Sequence, residues 1–284
     1  MAILDAPRPA SAPPPARSFT RPKPQPKWVQ TASQVWGILS LLGHTARALV
    51  TPPFLSWRGE LIEQAWWVLK KATIPALISM VGFGYGAPGV TGSAIAELLG
   101  DPTRIGAIVG TATLRENAVW ITAMVVAGVG GTAMCADLGA RKVRDELSAL
   151  EVMGIDPIRK LVAPRVLALI VLMPALTMVA VAVESVAILL ANLQVASTVG
   201  GYFEASAHSF NTIDVIGALV KTTLFGAVIG AVCCYKGMNA KGGPVGVGRA
   251  VNQAVVISFV LVWVINYAFN STYLGAFPGA QAVR

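Results

Sequence analysis

Long uninterrupted apolar runs constrain this chain more than any other feature. They fall at about residues 65–90, 117–138, 164–191, 213–235 and 253–276. A helix crossing the hydrocarbon core of a bilayer needs about 20 consecutive apolar residues, and each run supplies them. Membrane strands would alternate apolar and polar residues in short segments, whereas these runs are continuous. The fold class that follows is an all-α integral membrane protein with five transmembrane helices. Composition agrees, because 55% of the 284 residues are hydrophobic and only 13% are charged, against about 25% charged in soluble domains.

The net charge of +8 comes from basic residues that flank the runs. No aromatic-interleaved basic patch accompanies them, so nucleic acid is not an expected partner. Residues 141–165 hold six Lys/Arg and 236–252 hold three with no acid, while 92–115 hold two and 192–212 none. Lys and Arg concentrate on the cytoplasmic side of membrane proteins. This bias puts the N-terminus, 141–165 and 236–252 in the cytoplasm, and five crossings then put the C-terminus outside. The expected location is the cytoplasmic (inner) membrane.

Residues 1–27 contain eight of the 18 prolines and five Lys/Arg, without the apolar core of a signal peptide. They are expected to form a disordered Pro-rich cytoplasmic tail. Residues 28–50 place Trp28, Ala32, Val35, Leu39, Leu42, Ala46 and Leu49 at helical steps, which predicts an interfacial amphipathic helix. The first run carries the anchors Trp66-Trp67 and Lys70-Lys71, and its breakers Pro75, Gly82, Gly84 and Gly86 predict a kinked or partly re-entrant helix. In the second run, Gly128, Gly130 and Gly131 permit close helix approach. Cys135, Cys233 and Cys234 lie within or at the ends of runs, and their expected role is packing.

The stretch 141–165 is charged at ten of its 25 positions. Val143, Leu147, Leu150 and Met153 mark an apolar stripe, Gly154 suits a left-handed helix end, and Asp156-Pro157 suits a new helix start. The pattern predicts helix, tight break and second helix over 141–160, an amphipathic docking element on a short loop.

Here "DELSALEVMGIDPIRKLVAPRVLA" and "KTTLFGAVIGAVCCYKGMNAKGGPVGVGRAVNQAVV", residues 221–256, resemble the MlaE/YrbE family. Its members are permease subunits of ABC transporters that work with MCE-domain lipid-binding proteins. The similarity runs from about residue 60 to 275, making 28–284 one permease domain, and the Pro-rich tail points to the actinobacterial YrbE type. The resemblance implies that 141–160 is a coupling helix seated in a groove of a separate ATPase, with Leu147, Leu150, Glu151, Met153 and Gly154 at its centre. It also implies a lipid-sized cavity between two permeases, for which Phe83, Tyr85, Val119, Met124, Trp263 and Tyr267 are candidate lining residues. Val129 stands where the family usually has Arg, and Asn266 where an acid is common. Both changes suggest a non-identical paralogue as partner.

Glu184 and Lys221 are charges within membrane reach and therefore functional candidates. There is no G-x-x-x-x-G-K-[ST] phosphate loop, and "GPVGVGRA" follows a membrane helix rather than a strand, which fits a tight turn. His44 and His208 have no evident catalytic partner. The expectation is a non-catalytic subunit with no metal site and no cofactor, whose ATP is hydrolysed by a partner. The alternatives are a secondary, ion-coupled transporter, for which neither internal repeats nor midplane carboxylates beyond Glu184 are evident, and a passive scaffold of a periplasmic complex.

Overall fold

The computed structural model describes residues 26–50, 58–100, 105–194 and 198–276. The tail expected at 1–27 lies almost wholly outside them. The described residues form only helices and short connections. They are α1 (Lys27–Val50), α2 (Arg58–Leu98), α3 (Ile105–Val143), α4 (Glu146–Val152), α5 (Ile158–Asn192), α6 (Val199–Ser209), α7 (Thr212–Met238) and α8 (Gly243–Ala276). Five of them, α2, α3, α5, α7 and α8, are long and apolar enough to cross a membrane.

The helices exceed the apolar runs because the helical backbone continues through the charged or glycine-rich residues that interrupt or border those runs. α8 begins at Gly243, ten residues before the apolar run, after a turn in which Gly242 and Gly243 take φ of +90° and +66°. α3 likewise begins at Ile105, so charges that read as loop residues belong to a spanning helix. α6 lies in a stretch the sequence leaves as a connection. Thr198 caps its start by accepting from the Gly201 amide, and Tyr202 anchors it by donating to the Ser185 carbonyl at 3.0 Å. Burial moves the Tyr202 hydroxyl up to about 12, against a smaller opposing effect of the Ser206 hydrogen bond, so it stays neutral and keeps donating.

The expected break in the first span is a continuous helix with one wide turn. α2 passes through a π-helical turn at Tyr85–Thr91 that contains Pro88. Proline has no N–H to give, and a π turn absorbs the missing bond without ending the helix. α3 carries two such turns, Thr113–Asn117 and Val126–Gly131, and α5 opens with one at Ile158–Val162.

α7 sits at the centre and packs against α5, α3, α8 and α1. Phe225, Ile229 and Val232 of α7 join Leu169 and Met173 of α5 and Val119 and Val126 of α3 in the main core. Small residues set the spacing. A Cβ on Gly226 would stand 2.5 Å from the Leu169 carbonyl oxygen, and one on Gly131 would stand 2.7 Å from Cys233 Sγ. Of the glycines expected to mediate close approach, Gly131 does so tightly, while Gly128 faces open space. The three cysteines are buried and free.

α1 turns a different face to the bundle from the one its apolar stripe marks. Ile38, Leu41, Thr45 and Ala48 are buried, whereas Val35, Trp36 and Leu39 are 50%, 73% and 55% exposed. Val35 and Leu39 of the stripe thus face outward, while its Leu42 packs against the core beside the buried neighbouring face. Outward apolar side chains on α2 and α8, among them Ile74, Ile78, Val256 and Val260, are exposed in the same way. In the first half of α2, Lys71 Nζ lies 4.1 Å from the Trp67 ring centroid, a cation held on an aromatic face.

Gly226→Val should destabilise the fold by about 1–3 kcal/mol, the usual cost of overpacking, because the new methyl groups must push α5 backbone rather than a side-chain tip. Thermal unfolding of the reconstituted chain measures this, with Gly128→Val as the control expected to change little.

Candidate functional site

One end of the bundle holds a buried network of charges. Arg115 and Glu116 come from the first π turn of α3, Asp214 and Lys221 from α7, and Asn266, Asn270 and Tyr273 from α8. The spacing explains why they meet. Asp214 and Lys221 are seven residues apart, as are Asn266 and Tyr273, so each pair shares one helix face. Arg115 donates to both carboxylate oxygens of Asp214, at 3.0 and 2.9 Å, and the Tyr273 hydroxyl donates to Asp214 Oδ1. Lys221 Nζ lies 2.7 Å from the Arg115 carbonyl and 3.0 Å from each of Glu116 Oε1, Asn266 Oδ1 and Asn270 Oδ1. An ammonium has three protons, so these four acceptors share them. The two asparagines in turn donate to Glu116, at 2.8 and 2.6 Å.

Two cations and two carboxylates make the cluster neutral. Lys221 and Asp214 are almost fully buried, with side chains 3% and 2% exposed. Beside them opens a cavity of about 370 Å³, bounded by Thr111, Ala112, Gly217, Ala218 and Phe269 as well as the charged groups. The arrangement fastens three spanning helices around a partly polar chamber.

Lys221 is the only member of this cluster singled out from the sequence as a charge. Asn266 is noted there as a departure from the family pattern. Arg115 and Glu116 are missed because the apolar run begins at 117, and Asn270 and Tyr273 because uncharged polar residues stand out little in a spanning helix. The signal available was the seven-residue spacing. Glu184 does not join the cluster. It is fully buried on α5 against Gly84 of α2, with the Asn117 side chain of α3 as its polar neighbour.

The proposed cavity-lining residues divide. Phe83 packs edge-on against Trp120 at 6.0 Å, and Trp120 against Trp263 at 5.4 Å, forming an aromatic row across α2, α3 and α8. Trp263 and Tyr267 are 50% and 77% exposed on the outer face of α8. Tyr85 accepts a hydrogen bond from Gln194 at 2.8 Å, and Met124 is half-buried. Val119 is fully buried in the chain's own core, which corrects its placement on a cavity wall: its side of α3 faces the packed interior.

At the opposite end lies the charged loop. Arg165, 1% exposed, donates to the Leu161 carbonyl at 2.8 Å and to Asp137 Oδ2 at 2.7 Å, tying α5 to α3. Arg141 also reaches Asp137, at 3.1 Å. Asp145 takes φ +57° and Gly154 φ +74°, so α4 is bounded by a left-handed residue on each side. The Ile155 amide reaches back to the Leu150 carbonyl at 2.9 Å, closing the helix end, and Asp156 Oδ1 accepts from the Ile158 amide to start α5.

This geometry splits the apolar stripe expected there. Leu147 is 3% exposed and packs on Leu138, Leu161, Val162 and Val166, with Leu150 against the same cluster. Leu147 is thus an inward anchor rather than an outward contact, because the turn at Asp145 rolls that face onto α3 and α5. Glu151 and Gly154 point outward with Met153, 63% exposed, and Val152, 89% exposed. Val152 lies off the stripe and is not evident from the sequence.

Lys221→Met should destabilise the chain by about 1–3 kcal/mol, since it removes the donor shared by the Arg115 carbonyl, Glu116, Asn266 and Asn270. Glu116→Gln combined with Lys221→Met should cost less than the sum of the single changes. Thermal unfolding of the four proteins in one nanodisc composition checks this cycle.

The sequence matches the Permease MlaE family model over residues 61–272. It is similar to Protein TRIGALACTOSYLDIACYLGLYCEROL 1, chloroplastic, of Arabidopsis thaliana, at 32% identity over 64% of this chain and 51% of that protein. A probable ABC transporter permease protein of Rickettsia typhi is 34% identical over 57% of this chain and 63% of its own length. The intermembrane phospholipid transport system permease protein MlaE of Haemophilus influenzae is 26% identical over 61% and 67%. The chain thus spans about half to two thirds of the length of these relatives. With a family match across all five spanning helices, the chain belongs to the MlaE permease family and is a multi-pass, all-α membrane protein.

Proposed function

We propose that this chain is the membrane-spanning subunit of an ABC transporter that moves phospholipid or a similar amphiphile between the membrane and an MCE-domain protein. A separate ATPase supplies the energy, and a second, non-identical permease completes the lipid chamber. The chain itself catalyses no reaction in this scheme. The loop 141–165 and the N-terminus face the cytoplasm, in keeping with their Lys/Arg excess.

The observation that carries this reading is the posture of α4. An apolar helix face on a membrane protein normally turns inward or toward lipid. Here Val152 and Met153 project from the end of the bundle, among the charges of Glu146, Glu151 and Arg144. Beneath them, Leu147 and the Arg141–Glu146 pair hold α4 against the bundle, and the Asp137–Arg165 pair ties α3 to α5 under it. A small apolar knob with a charged rim on a stiff mount suits a groove in a soluble partner. Movement of that partner then passes to two spanning helices at once.

The phospholipid assignment draws on the printed name of the Haemophilus relative and on the chain's own outer surface. Trp263 and Tyr267 extend the aromatic row onto the exposed face of α8, where a second permease would enclose them. Val129 leaves uncharged a position that relatives are expected to charge, which suits a partner of different sequence; Asn266 is instead taken up by Lys221 and Glu116 of this chain.

Val152→Glu with Met153→Glu should abolish co-purification of the ATPase and lower ATP-driven lipid transfer at least about tenfold, the scale of lost central contacts, with membrane insertion intact because both side chains are exposed. Normal ATPase recovery and normal transfer would overturn the reading, and so would transfer that requires an ion gradient instead of ATP.

A further inference from the structure

At the α4 end of the bundle, α1, α7 and α8 enclose a second cavity of about 390 Å³ that no step of the transport scheme uses. Its lining holds three cations, Lys236, Lys241 and Arg249, and no acidic side chain. Lys236 is 7% exposed. It donates to Gln34 Oε1 at 2.9 Å and to Gln253 Oε1 at 3.1 Å. Both acceptors are neutral amides, and among the described residues no carboxylate lies within ion-pair distance of Lys236. This contrasts with Lys221 and Arg165, each of which has a carboxylate partner. A buried ammonium with only amide partners keeps its positive charge uncompensated, and that charge is costly to bury alone.

We propose that this cavity binds the phosphate headgroup of an anionic membrane lipid. Lys236 would be the fixed contact at its base, and Lys241 and Arg249, both exposed, would close over the phosphate from the rim. Gly246, in the first turn of the 34-residue α8, also lines the cavity, so the positive end of that helix adds to the attraction. Phosphate chemistry could equally come from solution. The surroundings favour a lipid. Gln34 is followed on α1 by Val35 and Trp36, 50% and 73% exposed, and Gly246 is preceded by Val245, 67% exposed. Apolar side chains beside a cationic pocket at the end of spanning helices offer acyl chains a place to lie. Basic pockets between spanning helices are a recurring mode of headgroup binding. The site explains the misaligned face of α1: its polar Gln34 turns toward Lys236 while Val35 and Leu39 of its stripe stay in the leaflet. It differs from the transported-lipid chamber in position, lying among α1, α7 and α8 at the α4 end.

The test uses the full chain in nanodiscs containing phosphatidylcholine and phosphatidylglycerol in equal amounts, with co-purifying lipid counted by native mass spectrometry after detergent extraction. Wild type should retain phosphatidylglycerol in preference to phosphatidylcholine. Lys241→Gln with Arg249→Gln, both exposed and therefore tolerated by the fold, should weaken that retention about thirtyfold, from about fivefold per cation. Lys236→Gln should abolish it, and if that variant misfolds the exposed pair decides. Equal retention of both lipids, or retention unchanged in the double variant, would overturn the proposal. Saturable binding of inorganic phosphate that is lost in Lys236→Gln, with phosphatidylglycerol retained no better than phosphatidylcholine, would mark the occupant as a soluble phosphate and overturn it as well.

Discussion

Hydrocarbon offers a buried charge no partner, so each charge placed within this bundle depends on what the chain itself supplies. That constraint organises both ends. At one end, Arg115, Glu116, Asp214 and Lys221 neutralise one another, and Asn266, Asn270 and Tyr273 take up the remaining hydrogen-bonding capacity. At the other, Arg165 and Arg141 converge on Asp137. Between the two, the helices approach closely through small residues such as Gly131 and Gly226. Each network crosses helix boundaries, so the spans are fastened at their ends and packed closely at their centre.

Fastening at the ends gives the functional proposal its mechanical sense. The Asp137–Arg165 pair sits next to α4, and Arg115, which pairs with Asp214 of α7, lies on the same helix as Asp137, on the far side of the π turn at Val126–Gly131. A displacement of α4 therefore bears on α3 and α5 together. The π turns at Thr113–Asn117 and Val126–Gly131 are where α3 departs from regular pitch, and such turns are where a helix changes its winding at least cost. The polar chamber lies beside the first of them.

Much of the fold is legible in the sequence because hydropathy reports lipid directly. Five runs correspond to five helices, and the glycine and aspartate around α4 mark its end and the start of α5 by backbone conformation alone. What remained hidden has physical causes. α3 starts at Ile105 with the apolar stretch IGAIVGTA, which Arg115-Glu116-Asn117 cuts off from the run at 117, and the start of α8 is rich in glycine, so both read as loops. The stripe on α1 turns Val35 and Leu39 toward lipid, and in a membrane an apolar stripe no longer distinguishes inside from outside. Leu147 and Met153 share a stripe, yet one faces the bundle and the other faces out, because the left-handed turn at Asp145 sets the roll of α4. The charge network was hard to see because its members come from three helices and are joined by spacing within each one. The resemblance to the family supplied the coupling role; the structure adds the side chains that offer themselves for it.

The central claim is that α4 is a stiff extension of the bundle rather than a loose loop. Hydrogen–deuterium exchange of residues 145–155, in the full chain reconstituted without any partner, tests this most directly. The amides of Ala149, Met153, Gly154 and Ile155, all hydrogen-bonded within the element, should exchange slowly and together. Exchange at the rate of an unstructured peptide, with the spans still protected, would contradict the account.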